Sequence, residues 1–534
     1  MRIQPFAGAA KDGCRPVRAS RITATVVAAA IAVAGAAAWA ALSLGPLVQI
    51  SGTSPFGPLA ACGNFPGIFE GVNFVDSEVE PWVDVNPTDP DNIVAIWQQD
   101  RWSDGGARGN VAGVSLDGGA SWEIVPLPGV TDCTGGPWER ASDPWVSFAP
   151  DGTLHHMSLV FQTDPPANRI GGFGPNAMVV SKSADGGLTW SDPISLIEDD
   201  DPRILNDKNS LTADPTDARF VYAVWDRLQI SGAEAVSPEN VSPGRGLFLG
   251  IGLGFKGPIT FARSTDGGDS WEPARKIYDP GANNQTIGNQ IVVQPGGTVI
   301  DFFTEILNFK NNDRNGPGFN FNLALLRSQD KGTSWQPVRA PIRAARIFSN
   351  GVVTPDESIP VRDASILFDV AVDPADGNLY AVWQDIRFSG IEEIAFSMST
   401  DGGFTWSAPI KVNQTPANAN PLRGQAFLPS VAASSADGTV VVTYYDFRND
   451  DASGELADYF AVRCESECAD PASWGDEARL TDASFDYRQA PFARGLFLGD
   501  YMGLASDGAD FLPVFGIAGF GGDPASIFFR RASR

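Results

Sequence analysis

Short apolar segments separated by polar turns recur along most of the chain. One complete unit contains residues 80–87, which end in a Pro/Asp turn, and then residues 93–97, 111–115 and 122–127. Segments of this length, bounded by Gly, Pro, Asn and Asp, are typical of β-strands joined by tight turns. The pattern therefore predicts a unit of four strands.

The same order of strands returns further along the chain. Its first and second strands are expected at residues 143–146 and 154–161, 209–213 and 220–225, 289–293 and 298–305, 368–372 and 379–383, and 427–432 and 439–445. Three last strands are expected at residues 500–505, 511–515 and 527–530, and residues 71–75 are available to complete their unit. Repeated units of this kind predict an all-β fold, a β-propeller of four-stranded blades. Seven blades are favoured, with six as the alternative.

An eight-residue motif, S-x-D-x-G-x-[ST]-W, links the third and fourth strands of five units. It occupies residues 115–122, 183–190, 264–271, 328–335 and 399–406. The Asp carboxylate can accept hydrogen bonds from N–H groups two or three residues on, Gly tolerates a positive φ, and Trp can pack beneath the turn. Each motif is therefore predicted to form the link of a β-hairpin.

This motif resembles the Asp-box, or BNR repeat, of sialidases and related propeller proteins. Five close copies imply a sialidase-like β-propeller as the fold. Asp-boxes also occur in propellers that cleave no sialic acid, so the resemblance implies the fold more directly than an activity. Sialidases are known as six-bladed, which keeps six as the alternative blade count.

The amino-terminal residues differ in composition from the rest of the chain. Residues 1–21 are basic, and residues 22–47 are almost wholly apolar and rich in Ala. A bilayer-spanning helix needs about 20 apolar residues, so the second segment is long enough. The arrangement is typical of a signal peptide or of a transmembrane anchor. We expect a linker at residues 48–70 and one extracytoplasmic propeller at residues 71–534, either secreted or anchored, with an insertion at residues 228–256.

The composition limits the classes of partner. The 534-residue chain carries 38 Lys plus Arg against 64 Asp plus Glu, a net charge of −26. Nucleic acid and anionic bilayers would repel such a chain, so neither is expected as a partner except through the amino-terminal segment. No Cys/His cluster has metal-ligand spacing, and neither a metal nor another cofactor is expected. The sequence shows no oligomer interface, so a monomer is expected.

The five cysteines suggest two disulfides. Cys14 precedes the apolar segment, whereas Cys62 and Cys133 can join the amino-terminal strap to a loop between blades. Cys464 and Cys468 can close a small ring where the sixth unit has lost the motif. Disulfides are typical of exported proteins. Residues 59–62 also resemble a bacterial lipobox, so lipidation of Cys62 is the alternative.

The geometry of a propeller predicts where a site can lie. Because strands alternate in direction, the motifs lie on one face, and the ends of second strands meet the starts of first strands on the opposite face. The charged or phenolic residues expected on that opposite face are Asp100, Arg101, Glu139, Arg140, Asp143, Asp207, Asp226, Arg227, Glu305, Asp363, Asp385, Arg387, Arg423, Asp446, Arg448, Asp500 and Tyr501. This convergence of arginines and acids around the axis is the strongest functional signal in the sequence.

The resemblance to sialidases implies roles for several of these residues. In that family, arginines bind the sugar carboxylate, a Tyr is the nucleophile, a neighbouring Glu takes its proton and an Asp is the general acid and base. Carried onto this sequence, the resemblance implies Tyr501 as nucleophile, Glu305 as base and Asp143 as acid. The substrate-binding arginines would be Arg101, Arg227, Arg387 and Arg448, with Arg140 in reserve.

Three hypotheses about function follow. The first is an exported sialidase-like glycoside hydrolase that removes terminal sialic acid or a related acidic sugar from glycans. The second is a non-catalytic propeller that binds a glycan or a protein through the arginine-bearing face, because the family's Arg-Ile-Pro signature is absent near Pro81. The third is a glycoside hydrolase that uses two carboxylates, about 5–5.5 Å apart for retention or about 6.5–9.5 Å apart for inversion.

Overall fold

The computed structural model describes residues 42–67, 70–163, 173–230, 254–307, 320–451 and 455–533. Within these ranges the regular structure consists of β-strands and short 3-10 helices, without an α-helix. The predicted all-β fold is therefore confirmed. Residues 1–41, which include the basic segment, Cys14 and most of the apolar segment, lie outside the described residues, as do residues 231–253 of the predicted insertion.

The strands form groups that follow one another along the chain. The amino-terminal strands are β1 (Ser43–Leu44) and β2 (Val48–Gln49). Group A contains β3 (Glu78–Val85), β4 (Ile93–Arg101), β5 (Ala107–Ser115) and β6 (Glu123–Pro126). Group B contains β7 (Arg140–Phe148), β8 (Leu154–Phe161), β9 (Asn176–Ser183) and β10 (Ile194–Asp199). Group C contains β11 (Ile204–Ala213), β12 (Val221–Ile230), β13 (Phe255–Lys256), β14 (Ile259–Ser264) and β15 (Arg275–Tyr278).

The remaining strands continue in the same order. Group D contains β16 (Gln285–Val293), β17 (Val299–Leu307), β18 (Asn320–Ser328) and β19 (Ile342–Ile347). Group E contains β20 (Phe368–Val372), β21 (Leu379–Asp385), β22 (Glu393–Ser399) and β23 (Ile410–Lys411). Group F contains β24 (Ala426–Ala433), β25 (Val440–Asp446), β26 (Leu456–Cys464), β27 (Trp474–Arg479) and β28 (Phe485–Asp486). Group G contains β29 (Gly503–Asp507), β30 (Asp510–Ala518), β31 (Ala525–Phe529) and β32 (Ala532–Ser533).

The 3-10 helices are short and lie between strands. They span Asp132–Thr134, Pro421–Gly424, Pro471–Ser473, Tyr487–Gln489 and Phe520–Gly522. Among the described residues, no helix has the length and the apolar character needed to cross a bilayer.

The groups close into a ring. Within each group the strands pair antiparallel, mostly in chain order, and one bridge between Ala107 and Ala141 also joins groups A and B. The first strands of successive groups contact one another, β3 with β7, β7 with β11, β11 with β16, β16 with β20, β20 with β24, β24 with β29, and β29 with β3 again. These first strands therefore surround a common axis. The number of blades stays a prediction.

The amino-terminal strands complete group G. β2 pairs with β31, with Val48 opposite Phe529, and β1 pairs with β32. The prediction that residues 71–75 supply this strand is wrong, because Asn73 instead bridges to Trp102 beyond the end of β4. Residues 42–50, assigned from sequence to the apolar segment and the linker, thus belong to the folded ring.

The hydrophobic core lies between adjacent groups. Trp97 of group A packs in one cluster with Phe529 of group G, and Trp225 of group C packs in another with Leu159 of group B. Similar clusters of buried side chains lie between groups A and B, C and D, D and E, E and F, and F and G. Burial of large aromatic side chains contributes most to such interfaces. Each group is therefore stabilised by both of its neighbours.

The five S-x-D-x-G-x-[ST]-W motifs form one kind of turn. In the first copy, Gly119 N donates to Ser115 Oγ at 2.8 Å. Ser121 donates twice to Asp117, from N to Oδ1 at 2.8 Å and from Oγ to Oδ2 at 2.6 Å. The carboxylate thus accepts its short hydrogen bonds from the residue four positions on, and the N–H group three positions on, which was predicted, also interacts with it. Trp122 Nε1 donates to Gly119 O at 3.1 Å, and the other four copies repeat the Ser and Asp bonds.

The Gly at the fifth position of each motif packs against the preceding group. Gly187 of group B lies against Val94 and Val114 of group A, and Gly332 of group D lies against Phe261 of group C. A Cβ atom at Gly332 would lie 2.7 Å from Phe261 Cζ, and its φ is +78°. Both the conformation and the close approach require Gly here. The motif therefore fastens each group to the one before it.

Both predicted disulfides are present. The bond between Cys62 and Cys133 joins the amino-terminal residues to the loop after β6. The bond between Cys464 and Cys468 closes a small ring in group F, at the place where groups A to E carry the motif. Because Cys62 is bonded to Cys133, it is not free for lipidation.

Asp301 on β17 is a buried carboxyl group without a partner. It is fully buried, and neither carboxylate oxygen has a hydrogen-bond partner among the described residues. Across the sheet it faces Ile291 and Leu326. Burial raises the pKa of Asp301 well above the ordinary value. The folded protein therefore holds a proton on this group more tightly than the unfolded chain does.

The first prediction tests how the motif fastens neighbouring groups. Gly332→Ala is compared with Gly351→Ala, because Gly351 has a similar φ of +81° but open space around its Cα. We expect Gly351→Ala to lower the free energy of unfolding by about 1–2 kcal/mol, the cost of the left-handed backbone. Gly332→Ala should lose about 1–3 kcal/mol more, because its methyl group meets Phe261. Chemical denaturation measures both losses, and equal losses would contradict the packing role.

The second prediction concerns pH. A group whose pKa is raised on folding stabilises the protein fully below its unfolded pKa, and this contribution is lost as the pH rises. Asp301→Asn removes the titration, so the variant should gain stability relative to wild type by up to about 1.4 kcal/mol for each pH unit above about 4, until the folded pKa is reached. Unfolding measured between pH 4 and pH 8 checks this. A stability difference that does not change with pH would contradict it.

Candidate functional site

The innermost strands carry bulges close to the axis. The pairing register shifts near the start of β3, β7, β11, β16 and β24. The residues with positive φ at these shifts are Glu80 (54°), Asp143 (47°), Lys208 (45°), Gly288 (70°) and Leu428 (51°). A bulge redirects a side chain, and a residue other than Gly in this conformation costs about 1–3 kcal/mol. Three charged side chains are thus held at the axis at a cost in stability.

Lys208 joins these side chains into what we call the axial cluster, which comprises Glu80, Asp143, Lys208 and Asp500. Lys208 Nζ lies 2.6 Å from Asp143 Oδ1, 2.6 Å from Asp500 Oδ2 and 3.3 Å from Glu80 Oε1. Asp500 N also donates to Glu80 Oε1 at 3.2 Å. Groups A, B and C each contribute one of these residues, and Asp500 comes from the segment just before β29. Water is largely excluded, since the three carboxyl groups are at least nine-tenths buried.

The surroundings shift the pKa values of Glu80 and Asp500 in opposite directions. Burial, reinforced by the charges of Asp143 and Asp500, raises the pKa of Glu80 to about 8, although Lys208 opposes the shift. Burial also acts against ionisation of Asp500, but Arg362 and Lys208 overcome it and hold the pKa of Asp500 well below its usual range. Glu80 therefore favours its protonated form at neutral pH beside the ionised carboxylate of Asp500. Two carboxyl groups with pKa values shifted apart in this way are typical of a catalytic acid and its partner base.

Tyr501 lies beside the axial cluster. Its ring packs edge-on against Trp82 and Trp145, with centroids 6.1 and 5.5 Å away, and those two indole rings stack 3.5 Å apart. The phenol donates to Pro144 O at 3.2 Å. Burial, followed by the charges of the cluster, of which Glu80 has the largest effect, raises the pKa of Tyr501 well above its ordinary value. The surroundings therefore favour the neutral phenol.

Three arginines next to the cluster form what we call the arginine recess, namely Arg101, Arg362 and Arg494. Arg362 donates to both oxygens of Asp500, with Nε 2.9 Å from Oδ1. The guanidinium groups of Arg101 and Arg362 lie over the ring of Phe497, 4.9 and 4.2 Å from its centroid. Arg101 is 3% exposed, and its Nε has no hydrogen-bond partner among the described residues. A buried guanidinium with an unused donor is suited to an anion.

Arg494 reaches this recess from a tight turn. Phe497 N donates to Pro491 O at 3.0 Å and Ala493 N donates to Gly495 O at 2.8 Å, which closes the turn. Gly495 packs against the backbone of residues 360–362, where a Cβ atom would lie 2.8 Å from Arg362 N. The turn is therefore held rigidly beside Arg362.

The side chain of Arg494 has no hydrogen bond or ion pair within the described ranges of the chain. Its φ is +68°, a left-handed backbone conformation that glycine adopts without strain and arginine does not. The surrounding protein and the charges of Arg362 and Arg101 lower the pKa of Arg494 to about 10, while its side chain remains open to solvent. A strained arginine that faces two others is best explained by an anionic ligand.

The structure brings three of the sequence-predicted residues together. Asp143 belongs to the axial cluster, Tyr501 lies beside it through its bond to Pro144 O, and Arg101 lines the arginine recess. All three lie toward the start of first strands or the end of a second strand, as the alternation of strand direction predicts.

The other predicted residues are engaged elsewhere. Glu305 accepts from Tyr278 Oη at 2.6 Å and from Arg343 Nε at 2.6 Å, within groups C and D. The remaining arginines form the ion pairs Arg227 with Asp199, Arg387 with Asp385, Arg448 with Asp446 and Glu477, and Arg140 with Asp104. An aspartate followed by an arginine recurs at the ends of several second strands, and ion pairs of this kind are also what a structural role of these arginines would produce. None of the contacts described for these residues reaches the axial cluster.

Sequence reasoning missed Glu80, Lys208, Arg362 and Arg494. A signal for the first two was present, because Glu80-Pro81-Trp82-Val83 aligns with Asp143-Pro144-Trp145-Val146, and Lys208-Asn209 stands in the same place in group C. Arg362 and Arg494 lie in irregular segments outside the repeat, so no such alignment finds them. Within the described part of the chain, no group of three or more potential metal ligands is suited to hold a metal ion.

Comparisons with known proteins give limited similarity. No protein-family model matches the chain. A xyloglucanase from Paenibacillus sp. is 28% identical over 233 residues, which are 42% of this chain and 19% of that protein. The chain thus matches about a fifth of the length of this curated relative.

Several solved structures are also similar. The Hadza microbial sialidase Hz136 has a TM-score of 0.44 and 15% identity, over 83% of this chain and 73% of that one. An α-L-arabinanase from Penicillium chrysogenum, complexed with arabinobiose, has a TM-score of 0.44 and 13% identity, over 75% and 94%. An intramolecular trans-sialidase from Ruminococcus gnavus, in complex with oseltamivir carboxylate, has a TM-score of 0.42 and 14% identity, over 74% and 94%. At these values, the similarities assign neither an activity nor a site residue to this chain.

The third prediction separates a functional from a structural Arg494. Arg494→Gly relieves the left-handed backbone and removes no hydrogen bond, so the free energy of unfolding should not fall and should rise by up to about 1 kcal/mol. Affinity for a carboxylate anion should fall at the same time, as measured by titration with glucuronate. Arg203→Ala is the control, because Arg203 is exposed and pairs with Asp201 in its own turn. A loss of stability in Arg494→Gly would show that Arg494 is structural.

Proposed function

We propose that the protein is an exported, sialidase-like β-propeller that removes a terminal acidic sugar from a glycan. The observation that carries the proposal is the arginine recess, which lies directly beside the buried acids of the axial cluster. An anionic substrate needs guanidinium donors, and glycoside hydrolysis needs a proton donor next to a carboxylate or another nucleophile. Both requirements are met by side chains around one axis.

Several further observations support this proposal. The five motifs resemble Asp-boxes, and the ring of first strands from groups A to G fits a propeller of seven blades. The matched relative is a xyloglucanase, an enzyme that by its name acts on a glycan. The two disulfides support export, because such bonds persist outside the reducing cytoplasm.

In the proposed complex, the sugar carboxylate binds to Arg101 and Arg494, while Arg362 lines the recess and stays bonded to Asp500. The reacting end of the sugar then faces the axial cluster, where Glu80 carries a proton and Asp143 is ion-paired with Lys208. The low exposure of these groups strengthens each electrostatic interaction with the substrate.

A second candidate function is binding of an acidic glycan without turnover. The observation that favours it is the state of the reactive groups. Both oxygens of Asp500 accept from Arg362, and the Tyr501 phenol donates to a main-chain carbonyl instead of a carboxylate. A site in which these groups stay occupied would bind an anion and release it unchanged.

The fourth prediction tests the proposed function. The purified protein should release the fluorophore from an aryl glycoside of an acidic sugar, either an α-sialoside or a uronide, and not from neutral aryl glycosides. Arg494→Gln should raise KM for the acidic substrate by about 10- to 100-fold, because a charged hydrogen bond contributes about 1.5–3 kcal/mol.

Arg219→Ala is the matched control. Arg219 is 72% exposed and pairs with Asp217 in the turn between β11 and β12, at the ends of those strands away from the cluster. An unchanged KM in this variant would show that the effect is specific to the recess. Affinity for the free acidic sugar without any turnover would establish the second candidate. Neither turnover nor binding by the folded protein would overturn both.

A further inference from the structure

We propose that the acidic sugar is a uronic acid residue, with its carboxylate on C5, and that Glu80 and Asp143 hydrolyse its glycosidic bond with retention of configuration. This inference rests on the proposed function above. The alternative class is an ulosonic acid such as sialic acid, whose carboxylate is attached to the anomeric carbon itself. The two classes demand different nucleophiles, and the axial cluster meets only one of these demands.

The two classes of sugar require different nucleophiles. A carboxylate on the anomeric carbon repels an anionic nucleophile, so an ulosonic acid requires an activated phenol. Tyr501 is the phenol next to the cluster, but its hydroxyl donates to Pro144 O at 3.2 Å, and no carboxylate among the described residues accepts its proton. Its ring is held between the stacked indoles of Trp82 and Trp145 and the cluster. Within the described ranges the phenol is therefore bonded to no base that could activate it.

The carboxyl groups of Glu80 and Asp143 lie close together, on the same ammonium group. Lys208 Nζ lies 3.3 Å from Glu80 Oε1 and 2.6 Å from Asp143 Oδ1, so these two oxygens are at most about 5.9 Å apart, the sum of those distances. Retaining glycosidases place their carboxyl groups about 5–5.5 Å apart, whereas inverting enzymes need about 6.5–9.5 Å to admit a water. This separation is smaller than inversion requires, which favours retention.

The contacts of Asp143 and Glu80 suit the two groups to different roles, nucleophile and acid. Asp143 uses Oδ1 for Lys208, and its Oδ2 accepts no hydrogen bond from the described residues, which leaves this oxygen available to attack. Asp500, in contrast, has both oxygens bonded to Arg362. Burial, reinforced by the neighbouring carboxylates, favours the protonated form of Glu80, whose Oε2 accepts from Gln98 Nε2 and whose Oε1 accepts from Asp500 N. Asp143 is thus the nucleophile and not the acid that the family resemblance implied, and Glu80 is the acid.

The position of the arginine recess determines where the substrate carboxylate would bind. Arg101, Arg362 and Phe497 lie to one side of Asp500, and Arg494 extends from the turn at residues 491–497. The arginine recess therefore meets the cluster at Asp500, to which Arg362 is bonded. In a uronic acid, the carboxylate and the anomeric carbon lie on opposite sides of the ring oxygen. This arrangement allows the arginines and Asp143 to contact one sugar at two different positions.

The chemistry then balances in two steps. In the first step, Asp143 Oδ2 forms a bond to C1, the bond from C1 to the glycosidic oxygen breaks, and Glu80 gives its proton to the leaving oxygen. In the second step, water attacks C1, Glu80 takes the proton of that water, and the ester with Asp143 breaks. Both carboxyl groups return to their starting states.

The fifth prediction uses one panel of aryl glycosides with the purified protein. Both anomers of methylumbelliferyl glucuronide and galacturonide are compared with the α-sialoside and with neutral glucosides and galactosides. We expect one uronide to be cleaved at least 100-fold faster than the sialoside and the neutral sugars. Its sugar product should keep the anomeric configuration when followed by proton magnetic resonance.

Variants test the assignment of each role. Glu80→Gln should lower kcat by about 10²- to 10⁴-fold, the usual contribution of a general acid. Tyr501→Phe should lower it by less than 10-fold, and Arg219→Ala remains the unaffected control. Where Glu80→Gln fails to fold, the pH profile of the wild type replaces it, because kcat/KM should fall as the pH rises through about 8, where Glu80 loses its proton.

The outcomes separate this inference from the proposed function. Faster cleavage of the sialoside, or loss of all activity in Tyr501→Phe, would overturn the uronic acid while leaving an acidic-sugar hydrolase in place. Inversion of configuration would overturn the role of Asp143. Absence of turnover of every acidic glycoside by the folded protein would overturn the proposed function together with this inference.

Discussion

The ammonium group of Lys208 is the interaction on which the site and the closure of the ring both depend. It contacts carboxylates from group A, group B and the segment that enters group G, so it spans the junction where the two ends of the chain meet. Removing one partner of such a buried ion pair is strongly destabilising, because the other charges remain without compensation. The bulges that direct Glu80, Asp143 and Lys208 inward carry backbone strain, which the surrounding strands offset. Stability is thus given up at the axis to hold a set of charges in place.

The periphery of the ring is organised differently. There the S-x-D-x-G-x-[ST]-W motifs fasten each group to its neighbour through a glycine that touches the preceding sheet, as Gly332 does on Phe261. Their hydrogen bonds are local, within eight residues, so none of these bonds needs a partner from another group. The apolar clusters between groups add the non-local contacts. The turns at the periphery thus repeat from group to group, whereas the residues at the axis, such as Glu80, Asp143 and Lys208, differ from group to group.

Sequence reasoning recovered the parts of the molecule that repeat. The strands, the motif turns, both disulfides and the face that carries Asp143, Arg101 and Tyr501 all follow from periodicity, from glycine and aspartate chemistry, and from alternation of strand direction. Arg362 and Arg494 could not be predicted, because they occupy irregular segments whose position depends on packing against Phe497 and against residues 360–362. Charge recurrence alone does not distinguish a binding role from a structural one for Arg387 and Arg448, since an arginine two residues after an aspartate can form a local ion pair, as both do here. The strand that completes group G was also missed, because a two-residue segment such as β2 leaves almost no pattern.

The pairing of β2 with β31 has a consequence for how the protein is made. Val48 lies opposite Phe529, so almost the entire chain must be synthesised before the last group can be completed. Until then, group A lacks the neighbour that covers Trp97, and apolar surface stays exposed. Contacts of such large sequence separation form slowly. Closure of the ring is therefore a late step of folding.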